Sequence, residues 1–528
     1  MIEADYVIIG GGTAGCVLAN RLSEDSRSNV VLLEAGDEGD SFLVRMPAGA
    51  AKLVGNPAVD WMHMTQPDPS IDNRALMWSA GKLLGGGSGI NGMVYMRGAR
   101  EDYDGWAANG CGGWGWDDVL PYFRRSEDFS EGASEWHGQG GPVAVSLPRV
   151  RHPLAKKFAE ACRQAGLREI ADPDRGDLDG FFFVHLTQRN GERCSSARGN
   201  LGAAKGRANL EILTGATVDR ILFEDNRAVG VRYLRDGAHE VRARGEVVLA
   251  AGALQSPAVL MRSGVGPADG LARMGIDVQR DAGDVGRNLQ EHASFPLSYF
   301  VNIPTYNAMQ GPFHLASHLL RYMVTRTGMM TASPVHAAAL IRSQPDLPSP
   351  DIKLQFTPFC MDLAKRAMHS RPGVSVFVNV SPPRSRGEIR LRSTDPHAAP
   401  VIDHRLFGDP SDLRAIVQGL KQVDRIFNMP ALAPYLVARN IPATTPADDA
   451  EWASAVRASA GIGFHPVGTC RMGGDPAAVV DPELRVRGVA GLRVADASVM
   501  PTMPTANTNA PTLMVAEKAA DMIRRGTA

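Results

Sequence analysis

The chain has 528 residues with 56 basic and 57 acidic side chains, a net charge of -1 that offers no electrostatic footprint for nucleic acid. Hydrophobic residues make up 44% and charged residues 21%, an ordinary balance for a globular protein of two or three domains. Six cysteines (Cys16, Cys111, Cys162, Cys194, Cys360, Cys470) show neither C-x-x-C nor zinc spacing, which argues against a disulfide framework or a metal site and for a reducing compartment.

The first element is the apolar run Tyr6 to Ile9, closed by Gly10-Gly11-Gly12-Thr13-Ala14-Gly15 and followed by helix-compatible apolar positions at Cys16, Val17, Leu18, Ala19 and Leu22. The glycines therefore sit at a strand-to-helix turn, the context in which G-x-G-x-x-G carries meaning. Gly10 permits the turn, Gly12 lets the main chain approach a pyrophosphate, and Gly15 allows close helix packing, while the helix start offers free N–H groups. Val30 to Leu33 read as a second buried strand ending in Glu34, which can accept from both ribose hydroxyls and would repel the extra phosphate of NADP. G-x-G-x-x-G alone could be an ordinary glycine turn; strand, helix, second strand and terminal acid in register imply an adenine dinucleotide, either FAD or NAD.

A Gly- and Pro-punctuated region leads to Gly81-Lys82-Leu83-Leu84-Gly85-Gly86-Gly87-Ser88-Gly89-Ile90-Asn91-Gly92. This run has too many glycines for a stable helix and suits a flat or anionic ligand. A flexible linker fits poorly, because Leu83, Leu84, Ile90, Met93, Val94 and Tyr95 anchor its flanks; the G-x-S-x-G of serine hydrolases is absent. Thr217–Phe223, Ala228–Leu234 and His239–Arg244 read as a meander of short strands, followed by a separate buried strand at Glu246 to Leu249 that runs into the Gly252 turn and a helix.

From about residue 300 the pattern changes. Val374, Val376, Val378 and Val380 alternate, as do Ile389 and Leu391, which indicates an antiparallel sheet, and Asp409-Pro410 opens a helix carrying Leu413, Ile416, Val417, Leu420, Val423 and Phe427. His314 and His318 have the spacing of a metal pair, but no third ligand stands near, so a helix surface is the expected reading and no metal site is assigned. The end of the chain places His465 in a glycine-rich loop, then a strand ending in Asp496-Ala497, then Asn507 and Asn509 before a helix from about Pro511 to Arg524. The termini are thus expected to meet in one domain. The fold class is α/β (α+β): a Rossmann-like dinucleotide domain (1–155, 200–298 and 462–528) with an inserted substrate domain (156–199 and 299–461) built on an antiparallel sheet flanked by helices. No leader-type segment precedes the first strand and no apolar run is long enough to span a bilayer, so a cytoplasmic location is expected, with peripheral membrane attachment left open.

Together these motifs resemble the glucose-methanol-choline flavoprotein oxidoreductases across essentially the whole chain. Gly81 through Asn91 with Tyr95, Gly98 and Asp104 is similar to the family's first signature, and Gly252-Ala253 through Ser263-Gly264-Val265-Gly266 to its second. Gly286-Arg287-Asn288-Leu289-Gln290-Glu291-His292 and the His465 and Asn507 regions are similar to further landmarks. The resemblance implies FAD rather than NAD. Its expected contacts are Gly10, Gly12, Thr13, Ala14, Gly15, Glu34 at the ribose, Gly85, Gly86, Gly87, Asn91, Gly92, Met93, Val94, Val218 at the adenine edge, Ala251, Gly252, Asp496 and Ala497, with Asn91 and Asp496 toward the flavin. Some choline-type members carry a histidine linked covalently to the flavin where this chain has Ile90, so non-covalent FAD is expected.

The activity implied is oxidation of a primary alcohol to the aldehyde, with His465 accepting the hydroxyl proton and Asn507, rather than the nearby Asn509, holding the oxygen. Phe464, Gly463, His336 and Phe359 are expected to shape the pocket; Phe356 and Met361 could do so too, though core packing explains them equally. Gly463 is read as leaving room beside the flavin, and His336 as standing where choline-oxidising relatives carry an acid, which favours an aromatic, furanic or medium-chain alcohol over choline. Oxygen or a quinone-type acceptor reoxidises the flavin, and a monomer or homodimer is expected. The alternatives are a choline-type dehydrogenase, a flavin lyase or photodecarboxylase on the same fold, for which His465 would have no purpose, and a non-catalytic flavin-binding protein.

Overall fold

The structure is a computed structural model that describes residues 2–309, 311–363, 365 and 367–526. β1 (Ile2–Ile9) lies inside a seven-stranded sheet, with Tyr6, Val7, Ile8 and Ile9 buried, as suits a strand with parallel neighbours on both sides. The chain turns at Gly10 into α1 (Thr13–Leu22) and returns as β2 (Val30–Leu33), parallel to β1 with Tyr6 opposite Val30 and Ile9 opposite Leu33. β3 (Leu210–Leu213) extends the sheet beyond β2.

β4 (Thr217–Glu224) and β5 (Arg227–Leu234) form the meander, but the third strand differs from expectation. The segments His239–Arg244 and Glu246 to Leu249 are one strand, β6 (Ala238–Leu249), antiparallel to β5 and parallel to β1. What resembles a break is a bulge: Ala4 pairs with Ala243 and Tyr6 with Glu246, so β6 carries one extra residue. It falls beside Gly245, where a Cβ would stand 2.7 Å from the Asp5 carbonyl oxygen, so glycine here accommodates a close approach rather than ending the strand. α2 (Gly252–Arg262) follows.

The second layer is a six-stranded antiparallel sheet. It contains β7 (Ala293–Val301), and α3 (Pro312–Thr325) leaves it before β8 (Ala337–Ile341), β9 (Ile352–Thr357) and β10 (Gly373–Val380). α4 (Pro410–Phe427) then packs on it, capped by the Asp409 carboxylate, which accepts from the Ser411 N–H at 2.8 Å. β11 (Leu436–Ile441) and β12 (Gly461–Ile462) complete it, giving the order β8-β9-β10-β7-β11 with β12 beside β7. β13 (Leu492–Val494) returns to the first sheet beside β6, and α5 (Asn509–Gly526) packs on α1.

Each sheet has its own apolar core. Ile389 and Leu391 do not continue the Val374–Val380 alternation into the second sheet. Glu388–Arg390 pairs with Val401–Asp403 apart from it, and Ile389, Leu391 and Ile402 pack in the first core. Ile71 and Leu154 conversely pack in the second core. His314 is exposed and His318 half-buried on α3. Among the described residues no helix is long and apolar enough to cross a membrane.

Candidate active site

A long cleft runs over the carboxyl ends of the first sheet's strands, where open α/β sheets place ligands. Gly10 has φ +96°, and a Cβ there would meet the Ala250 carbonyl oxygen at 2.7 Å. Gly12 starts α1 with no side-chain cap, and a Cβ on Gly12 or Gly87 would enter open space. The Gly85–Gly87 segment is docked on this turn, the Gly85 N–H donating to the Gly11 carbonyl at 2.7 Å, and, contrary to the expectation of no helix here, it runs into one helical turn at Gly87–Ile90 that is held in place by this docking. Gly86 has φ +49° and would place a Cβ 2.8 Å from the Gly12 Cα.

Glu34 Oε2 accepts from the Gly11 N–H at 2.8 Å and Oε1 from the Gly36 N–H at 2.7 Å. Burial pushes its carboxyl up to about 7 against the opposing pull of those N–H groups. At the opposite wall Asp496 Oδ2 accepts from the Gly252 N–H at 2.8 Å and the Ser256 hydroxyl at 2.6 Å, while Oδ1 accepts from the Ser498 N–H. His63, which no sequence motif marked, also lines the cleft; it is buried, stacked on Trp61, and neither ring nitrogen has a hydrogen-bond partner. An uncapped helix start, main chain without side-chain bulk and an orphaned imidazole fit a phosphate-bearing dinucleotide such as FAD.

Of the expected cofactor residues, Gly10, Gly12, Thr13, Ala14, Glu34, Gly86, Gly87, Val218, Ala251, Gly252, Asp496 and Ala497 line this cleft, and so does Phe464. Gly15 packs behind the turn, against the Gly10 carbonyl. Gly85, Asn91, Gly92, Met93 and Val94 are not in the lining. Asn91 Oδ1 accepts from Arg193 Nη1 at 2.8 Å and from the Met93 N–H at 3.0 Å, the Gly92 carbonyl accepts from the Ser333 hydroxyl, and Val94 pairs with Leu186.

Beyond Phe464, which holds φ +63°, the chain presents His465. Its Nε2 lies 3.1 Å from Asn507 Nδ2 and its Nδ1 lies 2.9 Å from His292 Nδ1. Asn509 is elsewhere, accepting from the Thr13 hydroxyl at 3.0 Å. The Glu291 carboxylate receives the main-chain N–H of His465 at 2.8 and 3.0 Å and that of His292 at 2.7 Å. His292 Nε2 meets the Ser381 hydroxyl at 2.9 Å, and Lys353 Nζ stands 3.4 Å from His292 Nδ1. Gln355 Nε2 donates to Asn507 Oδ1 at 3.2 Å.

Burial, then the Lys353 charge, holds the His465 imidazole well below its ordinary value; burial likewise lowers Lys353 to about 7 and raises Glu291 to about 8. The room beside the flavin that the sequence reading expects at Gly463 is absent. A Cβ there would lie 2.8 Å from His465 Nδ1 and 3.0 Å from the His292 Cβ, so the two imidazoles already occupy that space.

His336 and Phe359 are not in the cleft lining, nor are Gly463, His465 and Asn507; unlike these three, His336 and Phe359 make no contact with the His465–Asn507 pair. His336 is buried with Nδ1 accepting from the His152 N–H at 3.1 Å and Nε2 3.0 Å from the Tyr306 hydroxyl. The Phe359 carbonyl receives the Ser375 hydroxyl at 2.9 Å, and Phe356 stacks on Phe158 in the second core. Glu291, His292, Lys353, Gln355 and Ser381 received no role from sequence. A signal for two of them existed: in Ile352-Lys353-Leu354-Gln355-Phe356 polar residues occupy every second position of a strand buried throughout, so one face is committed to a polar site.

Models of the GMC oxidoreductase family match residues 4–294 and 383–516. The chain is 38% identical over 527 residues to an alcohol dehydrogenase (acceptor) of Pseudomonas putida, covering 99% of this chain and 96% of that one. It is 38% identical over 533 residues to the mitochondrial choline dehydrogenase of Homo sapiens, covering 99% and 90%. Among solved structures it is similar to pyridoxine 4-oxidase from Mesorbium loti, with a TM-score of 0.90, 34% identity and 99% of each chain covered.

Proposed function

The chain belongs to the GMC oxidoreductases, FAD-binding enzymes acting on alcohols, and from that membership we propose that it oxidises a primary aromatic, furanic or medium-chain alcohol to the aldehyde. The observation that carries the reading is the His465–Asn507 pair. Because Asn507 Oδ1 accepts from Gln355, its Nδ2 faces His465 and donates, which assigns Nε2 of His465 as an acceptor and puts the ring proton on Nδ1, toward His292. His465 thus presents an unprotonated nitrogen. A substrate hydroxyl entering there displaces the Asn507 N–H from Nε2 and gives its proton to that nitrogen, while Asn507 Nδ2 turns its N–H to the substrate oxygen, orienting the carbon. Bound FAD supplies the two-electron acceptor for the alcohol C–H bond.

Residues 1–155, 200–298 and 462–528 would hold the dinucleotide, with 156–199 and 299–461 shaping the substrate side. Non-covalent FAD is supported by Ile90, an aliphatic side chain buried against Val44, Leu53 and Leu83. An uncharged substrate is supported by Glu291, the nearby acid, whose carboxylate is already occupied by main-chain N–H groups. His336, being elsewhere, does not bear on choline. Oxygen and a quinone-type compound are the acceptors proposed.

The test is anaerobic mixing of the purified flavoprotein with benzyl-type, furan-type, aliphatic and choline substrates. One uncharged class should bleach the flavin, and His465→Ala should do so roughly 10² to 10⁴ times more slowly at equal FAD content. Bleaching by choline alone would replace the substrate assignment. Bleaching by no alcohol would sink the reading and make a fatty acid under blue light the next trial.

A further inference from the structure

Helix α3 is inverted relative to an ordinary surface helix. Its one fully buried side chain, Tyr322, packs with Met46 and Met330 and meets Phe42 edge-on at 6.0 Å. The opposite face carries Phe313, Leu320 and Val324, spaced seven and four residues apart and therefore on one stripe. These are 90%, 64% and 73% exposed, with Met323 beside them at 59%. Singly exposed apolar residues are unremarkable, but a continuous stripe along a 14-residue helix marks an interaction surface.

The charge around the stripe points to one kind of partner. No Asp or Glu stands between Glu291 and Asp346, although acids number 57 in the whole chain. Arg321, beside the stripe, is exposed; its guanidinium bonds the Thr327 hydroxyl and no carboxylate among the described residues. His314 flanks the same side. The neighbouring acids are engaged: Asp40 with Arg45, and Glu192 with Arg198 and Arg326. A second copy docked through the same stripe would bring no carboxylate of its own α3 to pair with Arg321. An apolar stripe with an arginine at its edge and no carboxylate on its own helix suits a bilayer surface with anionic headgroups.

We infer that the outer face of α3, through Phe313, Leu320, Met323 and Val324 with Arg321 at its edge, seats the enzyme on anionic lipid without crossing it. This inference does not rest on the alcohol reading.

The test is flotation of the FAD-loaded protein with vesicles of phosphatidylcholine alone or with phosphatidylglycerol added. The parent should co-float with the anionic vesicles, less so at high salt, and poorly with phosphatidylcholine alone. The double variant Leu320→Asp/Val324→Asp should lose more than about tenfold in bound fraction while keeping the parent's flavin spectrum and melting temperature. Parent protein that never floats overturns the inference, as does a double variant that floats as well as the parent. Concentration-dependent dimerisation that the double variant abolishes, with no vesicle binding, also overturns it and assigns the face to a second copy.

Discussion

At the scale of single residues, the chemistry of the candidate site depends on keeping one imidazole neutral. Burial is the largest influence on His465, followed by the Lys353 charge, and both disfavour the imidazolium. The groups facing it are His292, Lys353, Asn507 and the Glu291 carboxylate beneath its main chain. Neutral His465 is the competent base, so the acid limb of kcat/KM should fall below the ordinary histidine range near 6.5. Lys353→Met removes a positive charge, stabilises the imidazolium, and so raises the folded-state pKa of His465. The acid limb should then move to higher pH, read from kcat/KM profiles; an unmoved limb would detach Lys353 from the base. His465 and Asn507 were legible in sequence because both stand in short, motif-bearing loops. Lys353 and Gln355 were assigned no role because they lie more than a hundred residues away, on a strand of the other layer.

At the scale of elements, the glycine-rich segments form one object. The Gly85–Gly87 loop is hydrogen-bonded to the first turn, and Gly86 fits only because its φ is positive and it has no Cβ to meet Gly12. Gly86→Ala should lift the loop, lowering FAD content per chain in the absorption spectrum and costing about 1–3 kcal/mol in denaturant unfolding. Wild-type FAD content and stability would show that the loop relaxes freely. Helices α1 and α4 are legible nearly to the residue because apolar spacing and, for α4, the Asp409 cap are local signals. Sequence divides β6 in two because a glycine at a bulge and a glycine at a strand end are identical in sequence; the pairing with β1 distinguishes them.

At the scale of the whole molecule, the first and last helices are fastened together. Glu517, fully buried, receives Arg21 Nε and Nη2 at 2.9 and 3.0 Å and Arg125 Nε at 2.7 Å. Glu517→Ala removes the carboxylate that joins the two guanidinium groups, leaving Arg21 with Glu24 and Arg125 with Asp521, and should cost about 1.5–3 kcal/mol in urea unfolding. It should also speed proteolysis of the C-terminal helix, whereas an unchanged midpoint would mean that apolar packing of α5 on α1 suffices. The sequence by itself determined the dinucleotide turn, the family resemblance and the identity of the histidine and asparagine, because each is carried by residues close together in the chain. Tertiary structure alone decided that Gly463 makes way for two imidazoles, that His336 lies outside the cleft, and that Lys353 and Glu291 flank the base. It also turned the apolar stripe of α3 outward. The reason is the same in each case: burial, close approach and charge proximity arise between segments hundreds of residues apart, and local spacing carries no record of which segments will meet.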